Sequence, residues 1–84
     1  MRYEVLWPKK ALGQLAAIWA TTPDRSGVTA SVAMFDYVLT YDPLKFGESR
    51  DSSLVRVAYR PPLGIEYSVV EDDKRVVVQG VFAV

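Results

Sequence analysis

Three arginines and one glutamate are the residues of this chain best suited to chemistry. Arg56 and Arg60 stand four residues apart in an alternating segment, which puts them on one strand face, roughly 13 Å apart along it. Arg50 lies just before that segment. A guanidinium binds phosphate through paired planar donors and can stabilise charge developing on a phosphoryl group. The alternative is that these arginines solubilise a strand face and pair with Glu66. Glu66 itself suits a general base where burial raises its pKa, and otherwise a solvated partner of Arg56 or Arg60.

Absences narrow the chemistry further. The sequence has no histidine and no cysteine, which removes the commonest general base, thiolate metal sites and histidine-activated nucleophiles. Glu71-Asp72-Asp73 lacks the spacing of a calcium loop and reads as a turn, and Gly47 has no phosphate-cradling repeat around it. No metal or cofactor is expected. Ten basic and ten acidic side chains cancel, where a dedicated nucleic-acid binder would carry a basic excess. The balance is local, though: Lys45, Arg50, Arg56 and Arg60 outnumber Glu48 and Asp51 between residues 45 and 60.

The elements that must position these groups follow from periodicity. With 84 residues, half of them apolar, the chain suits one soluble domain spanning residues 1–84. No apolar run approaches the roughly 18–20 residues of a membrane span, and the charged start lacks a signal-peptide core, so a cytoplasmic protein is expected. Residues 2–7 alternate as a strand with Tyr3, Val5 and Trp7 on one face. Leu12, Leu15, Ala16 and Trp19 mark an amphipathic helix after Pro8, with Gln14 off its stripe and Trp7 and Trp19 in the core. Thr21, Thr22 or Asp24 caps a second helix, with Val28, Val32, Phe35 and Leu39 as its stripe, ending at Asp42-Pro43. Residues 43–52 read as a loop.

Three strands follow, over residues 53–60, 63–70 and 75–83. Alternation puts Val55, Val57 and Tyr59 opposite Leu54, Arg56, Ala58 and Arg60, and Ile65, Tyr67 and Val69 opposite Glu66, Ser68 and Val70. In the last strand it puts Val76, Val78 and Phe82 opposite Val77, Gln79 and Val81. The fold class is therefore α+β, in the order β-α-α-β-β-β, with an antiparallel sheet and two helices packed on one face. The open face is expected to carry Arg56, Arg60, Glu66, Ser68 and Gln79 beside Leu54, Val70, Val77 and Val81. The four apolar positions of that set suit a protein partner.

The whole-chain pattern resembles a known family. An opening strand ending in Trp7-Pro8 and a helix reaching Ile18-Trp19 lead to Leu39-Thr40-Tyr41-Asp42-Pro43 at the end of the second helix. Phe46-Gly47-Glu48-Ser49-Arg50, Val55-Arg56-Val57 and Glu66-Tyr67-Ser68-Val69-Val70-Glu71-Asp72-Asp73 complete the pattern. Together they resemble the RelE/ParE superfamily of toxins from bacterial type II toxin–antitoxin pairs. The resemblance implies the same β-α-α-β-β-β fold and a cognate antitoxin as partner. It also implies either ribosome-dependent cleavage of messenger RNA or inhibition of DNA gyrase. In the RNA-cleaving branch, Arg50 and Arg56 would hold phosphate, with Arg60 as a further RNA contact. The alternative is a non-enzymatic binding protein of the same fold. Leu63-Gly64 stands where nuclease members carry a tyrosine-arginine pair, and Phe82-Ala83-Val84 where they carry histidine, tyrosine or arginine. Acid–base work would then fall to Glu66, Tyr59 or Tyr67.

Overall fold

The computed structural model describes residues 2–49 and 55–84. Strand β1 (Glu4–Leu6) leads through Pro8 into helix α1 (Lys9–Thr21), and helix α2 (Arg25–Tyr41) follows. Of the three candidate caps, Asp24 takes the role, its carboxylate accepting from the Gly27 amide at 3.0 Å. The segment expected as a loop contains a single turn of helix, α3 (Pro43–Phe46), and a two-residue strand, β2 (Glu48–Ser49). Proline at the first position of α3 has its fixed φ already suited to helix. Strands β3 (Arg56–Arg60), β4 (Leu63–Val70) and β5 (Arg75–Ala83) complete the chain.

Among the described residues the sheet has the order β1-β5-β4-β3-β2. The antiparallel β3-β4-β5 meander is as expected, while β1 joins β5 in parallel, so the sheet is mixed. The long connection between β1 and β5, which includes α1 and α2, permits this parallel pairing. Both long helices cover one face. Val28, Phe35 and Leu39 of α2 and Ala11 of α1 are buried there against Leu63, Ile65, Tyr67, Val76 and Val78. Ser31 is buried among them because its hydroxyl donates to the Arg60 carbonyl at 2.8 Å.

Helix α1 is rotated from the expected stripe. Ala11, Leu15 and Ile18 face the core, while Leu12 is 50% and Trp19 41% exposed. Gln14 accounts for the rotation. β1 reaches along β5 only as far as the Leu6–Val77 pair, and beyond it the Val81 amide donates to Gln14 Oε1 at 2.8 Å. A polar side chain thus belongs on the sheet side of the helix, where it satisfies a backbone donor.

The open end of β1 is tied to the β4–β5 turn. The Tyr3 hydroxyl donates to Glu71, Lys74 pairs with Glu71 at 3.3 Å, and Arg75 with Glu4 at 3.2 Å. The Tyr3 bond holds the Glu71 carboxyl below its ordinary pKa, and the carboxylate in turn raises the Tyr3 hydroxyl. The bond favours the ionised carboxylate, so its stabilisation is present above the unfolded carboxyl pKa and lost as pH falls through the depressed folded value. At the alkaline end it is lost as pH rises through the raised Tyr3 value. Tyr3→Phe is therefore expected to raise the Glu71 pKa toward the ordinary carboxylate range, with Lys74 still lowering it, as read by carboxyl NMR titration. An unmoved Glu71 titration would show that the hydroxyl does not set it.

Candidate functional site on the open sheet face

Register fixes which side chains share the uncovered face. Val57 pairs with Glu66, Tyr59 with Gly64, and Arg56 with Tyr67. Tyr67 is fully buried beneath the helices, so Arg56 and, by alternation, Arg60 lie on the helix side of β3. This reverses the expected facing of the strand. Small Ala58 sits opposite Ile65 in the core, and Arg56, beside Tyr67, is half-buried with its Nε inaccessible. Its Nη2 donates to the Gly47 carbonyl at 2.6 Å. Glu66 stands on the open face, so the sheet separates it from Arg56 and Arg60. Arg50 and Leu54 lie outside the described residues.

Beside Arg56 the Tyr67 hydroxyl ties α3 to β4. The Tyr67 hydroxyl donates to the Pro43 carbonyl at 2.7 Å and accepts from the Gly47 amide at 2.9 Å. A Cβ at Gly47 would lie 2.5 Å from that hydroxyl and 2.8 Å from the Val57 carbonyl, so glycine is required by close approach. Burial pushes the Tyr67 pKa up, which keeps the phenol neutral and occupied as a structural bridge. Of the two tyrosines considered for acid–base work, only Tyr59 is presented to solvent.

A β-bulge redistributes β5. Glu66 pairs with Gly80 and the next residue, Tyr67, with Val78, so Gln79 is the extra residue. Beyond it the alternation inverts. Val81 pairs with Ile65 and is 5% exposed in the core, while Phe82 pairs with Gly64 on the open face. Val81 is therefore not part of a partner surface, and Phe82 is not part of the core cluster. Val70 and Val77 do lie on the open face, joined by Leu6, which pairs with Val77. The open face thus runs from these aliphatic residues and the Arg75–Glu4 ion pair, through a Gln79–Ser68 bond of 2.9 Å and Glu66, to a Tyr59–Phe82 aromatic pair. Periodicity missed the aromatic pair. Gly64 and Gly80 within strand segments were the available signals, since strand glycines mark bulges and close approaches.

Another accessible feature is an apolar groove of about 780 Å³ between α1 and α2. Leu12, Ala16, Trp19, Val28, Val32 and Trp7 line it, and the Trp7 indole donates to Asp36 at 3.4 Å. Trp19 lies in this groove rather than in the core, with the Arg25 guanidinium 5.5 Å from its ring. No helix among the described residues is long and apolar enough to cross a membrane.

A mixed sheet covered on one face by a helix pair, with an antiparallel meander beyond it, is the architecture of the RelE/ParE toxin fold. No family model matches the chain, and no curated protein sequence matches it. Solved structures do. A chain of the toxin–antitoxin complex RelBE2 from Mycobacterium tuberculosis is similar with a TM-score of 0.80 at 23% identity, covering 100% of both chains. A chain of the chromosomal ParDE toxin–antitoxin system from P. aeruginosa is similar with a TM-score of 0.71 at 16% identity, covering 99% of this chain and 97% of that one. A chain of the archaeal RelE–RelB complex from Pyrococcus horikoshii gives 0.61 at 14% identity, covering 99% and 96% respectively. The chain has the RelE/ParE fold.

Proposed function

We propose that this chain is the toxin of a type II toxin–antitoxin pair and inhibits translation by cutting messenger RNA on the ribosome. The observation that carries this reading is the end-to-end likeness to a chain of the RelBE2 complex. In this reading RNA lies across the open sheet face. Glu66 takes the proton of a ribose 2′-hydroxyl as that oxygen attacks the adjacent phosphorus. The bond to the 5′-oxygen breaks, leaving a cyclic phosphate, and the departing oxygen takes a proton from water. Arg50, Arg56 and Arg60 are the cations assigned to phosphate, the last two reaching it from the helix side of β3. The antitoxin is assigned to the α1–α2 groove, whose exposed Leu12 and Trp19 offer more continuous apolar surface than Val70 and Val77 do.

Induction of the chain alone in bacteria tests the reading through pulse-labelled protein and DNA synthesis. Translation is expected to fall first, with cut messages, and Glu66→Gln to slow cutting by about 100-fold or more. Unchanged growth with soluble, folded protein would remove the toxin assignment.

A second reading is favoured by one observation, the separation of Arg56 and Arg60 from Glu66 by the sheet. It is a non-enzymatic toxin or binding protein of the same fold, acting on gyrase or held only by an antitoxin. DNA synthesis failing before translation would select the gyrase form.

A further inference from the structure

We propose that Tyr59, propped by Phe82, is a stacking platform for one unpaired nucleobase beside Glu66. The inference rests on the RNA reading above and adds to it the residue that would hold the base. Tyr59, Gly64 and Phe82 form one cross-strand row over β3, β4 and β5 on the open face. Gly64, in the middle, has no side chain, and a Cβ there would lie 2.4 Å from the Phe82 ring. The Phe82 ring therefore lies down over the glycine and meets Tyr59 edge-on, with ring centroids 6.0 Å apart and planes at 77°. The bulge at Gln79 is what delivers Phe82 to this face.

The result is an aromatic side chain that is 55% exposed yet laterally supported. A ring already fixed by a neighbour loses little freedom when a second plane stacks on it. Every nucleobase offers such a plane, and stacking on exposed aromatic rings is how single strands are held without sequence preference. Glu66 is two residues along β4 from Gly64 and on the same side, which places its Cβ about 7–8 Å diagonally from that of Tyr59. A nucleotide stacked on Tyr59 therefore sets its ribose and phosphate toward Glu66. Glu66 borders the aromatic row directly, and the bonded Ser68–Gln79 pair stands one row beyond it. A carboxylate directly beside the aromatic row favours a nucleotide, whose sugar hydroxyl can meet it, over an apolar peptide.

The test is binding of a fluorescently labelled single-stranded RNA hexamer, by anisotropy, to the wild-type chain and to variants confirmed as folded. Tyr59→Ala is expected to weaken binding roughly 5- to 150-fold, the range of one base–aromatic stack. Tyr59→Phe keeps the ring and is expected to bind within about threefold of wild type, whereas a role for the hydroxyl would make it fail as alanine does. An abasic nucleotide at the stacked position should weaken wild type by a similar factor and leave Tyr59→Ala unaffected. If wild type binds RNA and Tyr59→Ala binds equally well, the platform is wrong while the RNA reading stands. A wild-type chain that binds no hexamer overturns the platform, while ribosome-dependent cutting is decided separately by the pulse-labelling experiment.

Discussion

Replacing Tyr67 by phenylalanine is expected to destabilise the fold by about 2–6 kcal/mol, although only one oxygen is removed. The ring would still fill its fully buried place beneath the helices. The lost hydroxyl joins α3 to β4 by donating to the Pro43 carbonyl and accepting from the Gly47 amide. Removing it leaves a buried donor and a buried acceptor without their partner, and each such group costs about 1–3 kcal/mol. Gly47→Ala attacks the same junction from the other side, because its Cβ would press on the Tyr67 hydroxyl and the Val57 carbonyl. Denaturant melts of both variants provide the measurement. A Tyr67→Phe loss below about 0.5 kcal/mol, within the range of a substitution that leaves no buried group unpaired, would show that the hydroxyl does not bridge these carbonyl and amide groups.

This junction changes how Arg56 variants must be read. Its guanidinium donates to the Gly47 carbonyl beside Tyr67, so Arg56→Ala removes a structural bond together with any phosphate contact. Loss of toxicity in that variant alone would not identify the role of the arginine. A melting curve taken with the growth assay shows whether the fold has weakened, and only growth inhibition lost at unchanged stability assigns the arginine to phosphate.

The parts of the fold governed by long, regular periodicity were legible in the sequence. α2 carries its expected stripe of Val28, Phe35 and Leu39, and the meander pairs as the turn residues require. The open face was harder to read, for three physical reasons. On β3, alternation offers two faces of similar apolar content, and Ala58 wins the core side because Ile65 opposite it needs a small neighbour. On α1, Gln14 belongs on the packed face because a backbone amide needs it, which no hydrophobic stripe encodes. On β5, one extra residue inverts the alternation, so counting in twos from Val76 and Val78 misplaces everything after Gln79. Among the candidate site residues, Glu66, Val70 and Val77 therefore fall where alternation put them. Arg56, Arg60 and Val81 fall on the opposite side of the sheet.

The inversion on β5 makes its own test at adjacent positions. Val81→Asp is expected to cost about 4 kcal/mol or more, enough to unfold much of a domain this small. Its carboxylate would be forced between Ile65 and the helices, where Val81 is nearly inaccessible. Phe82→Asp, which removes a far larger apolar side chain, is expected to cost only about 1–2 kcal/mol. Its new charge would stand on the open face, and the main loss is the edge-on contact with Tyr59. Uninterrupted alternation from Val78 demands the reverse ranking, with Phe82 inside and Val81 outside. Paired thermal melts decide between them, and a more damaging Phe82→Asp would mean that β5 runs without its bulge. Deleting Gln79 adds a further check. Val78 would then be followed directly by Gly80, and both Val81 and Phe82 would keep their present faces, so that variant should still fold.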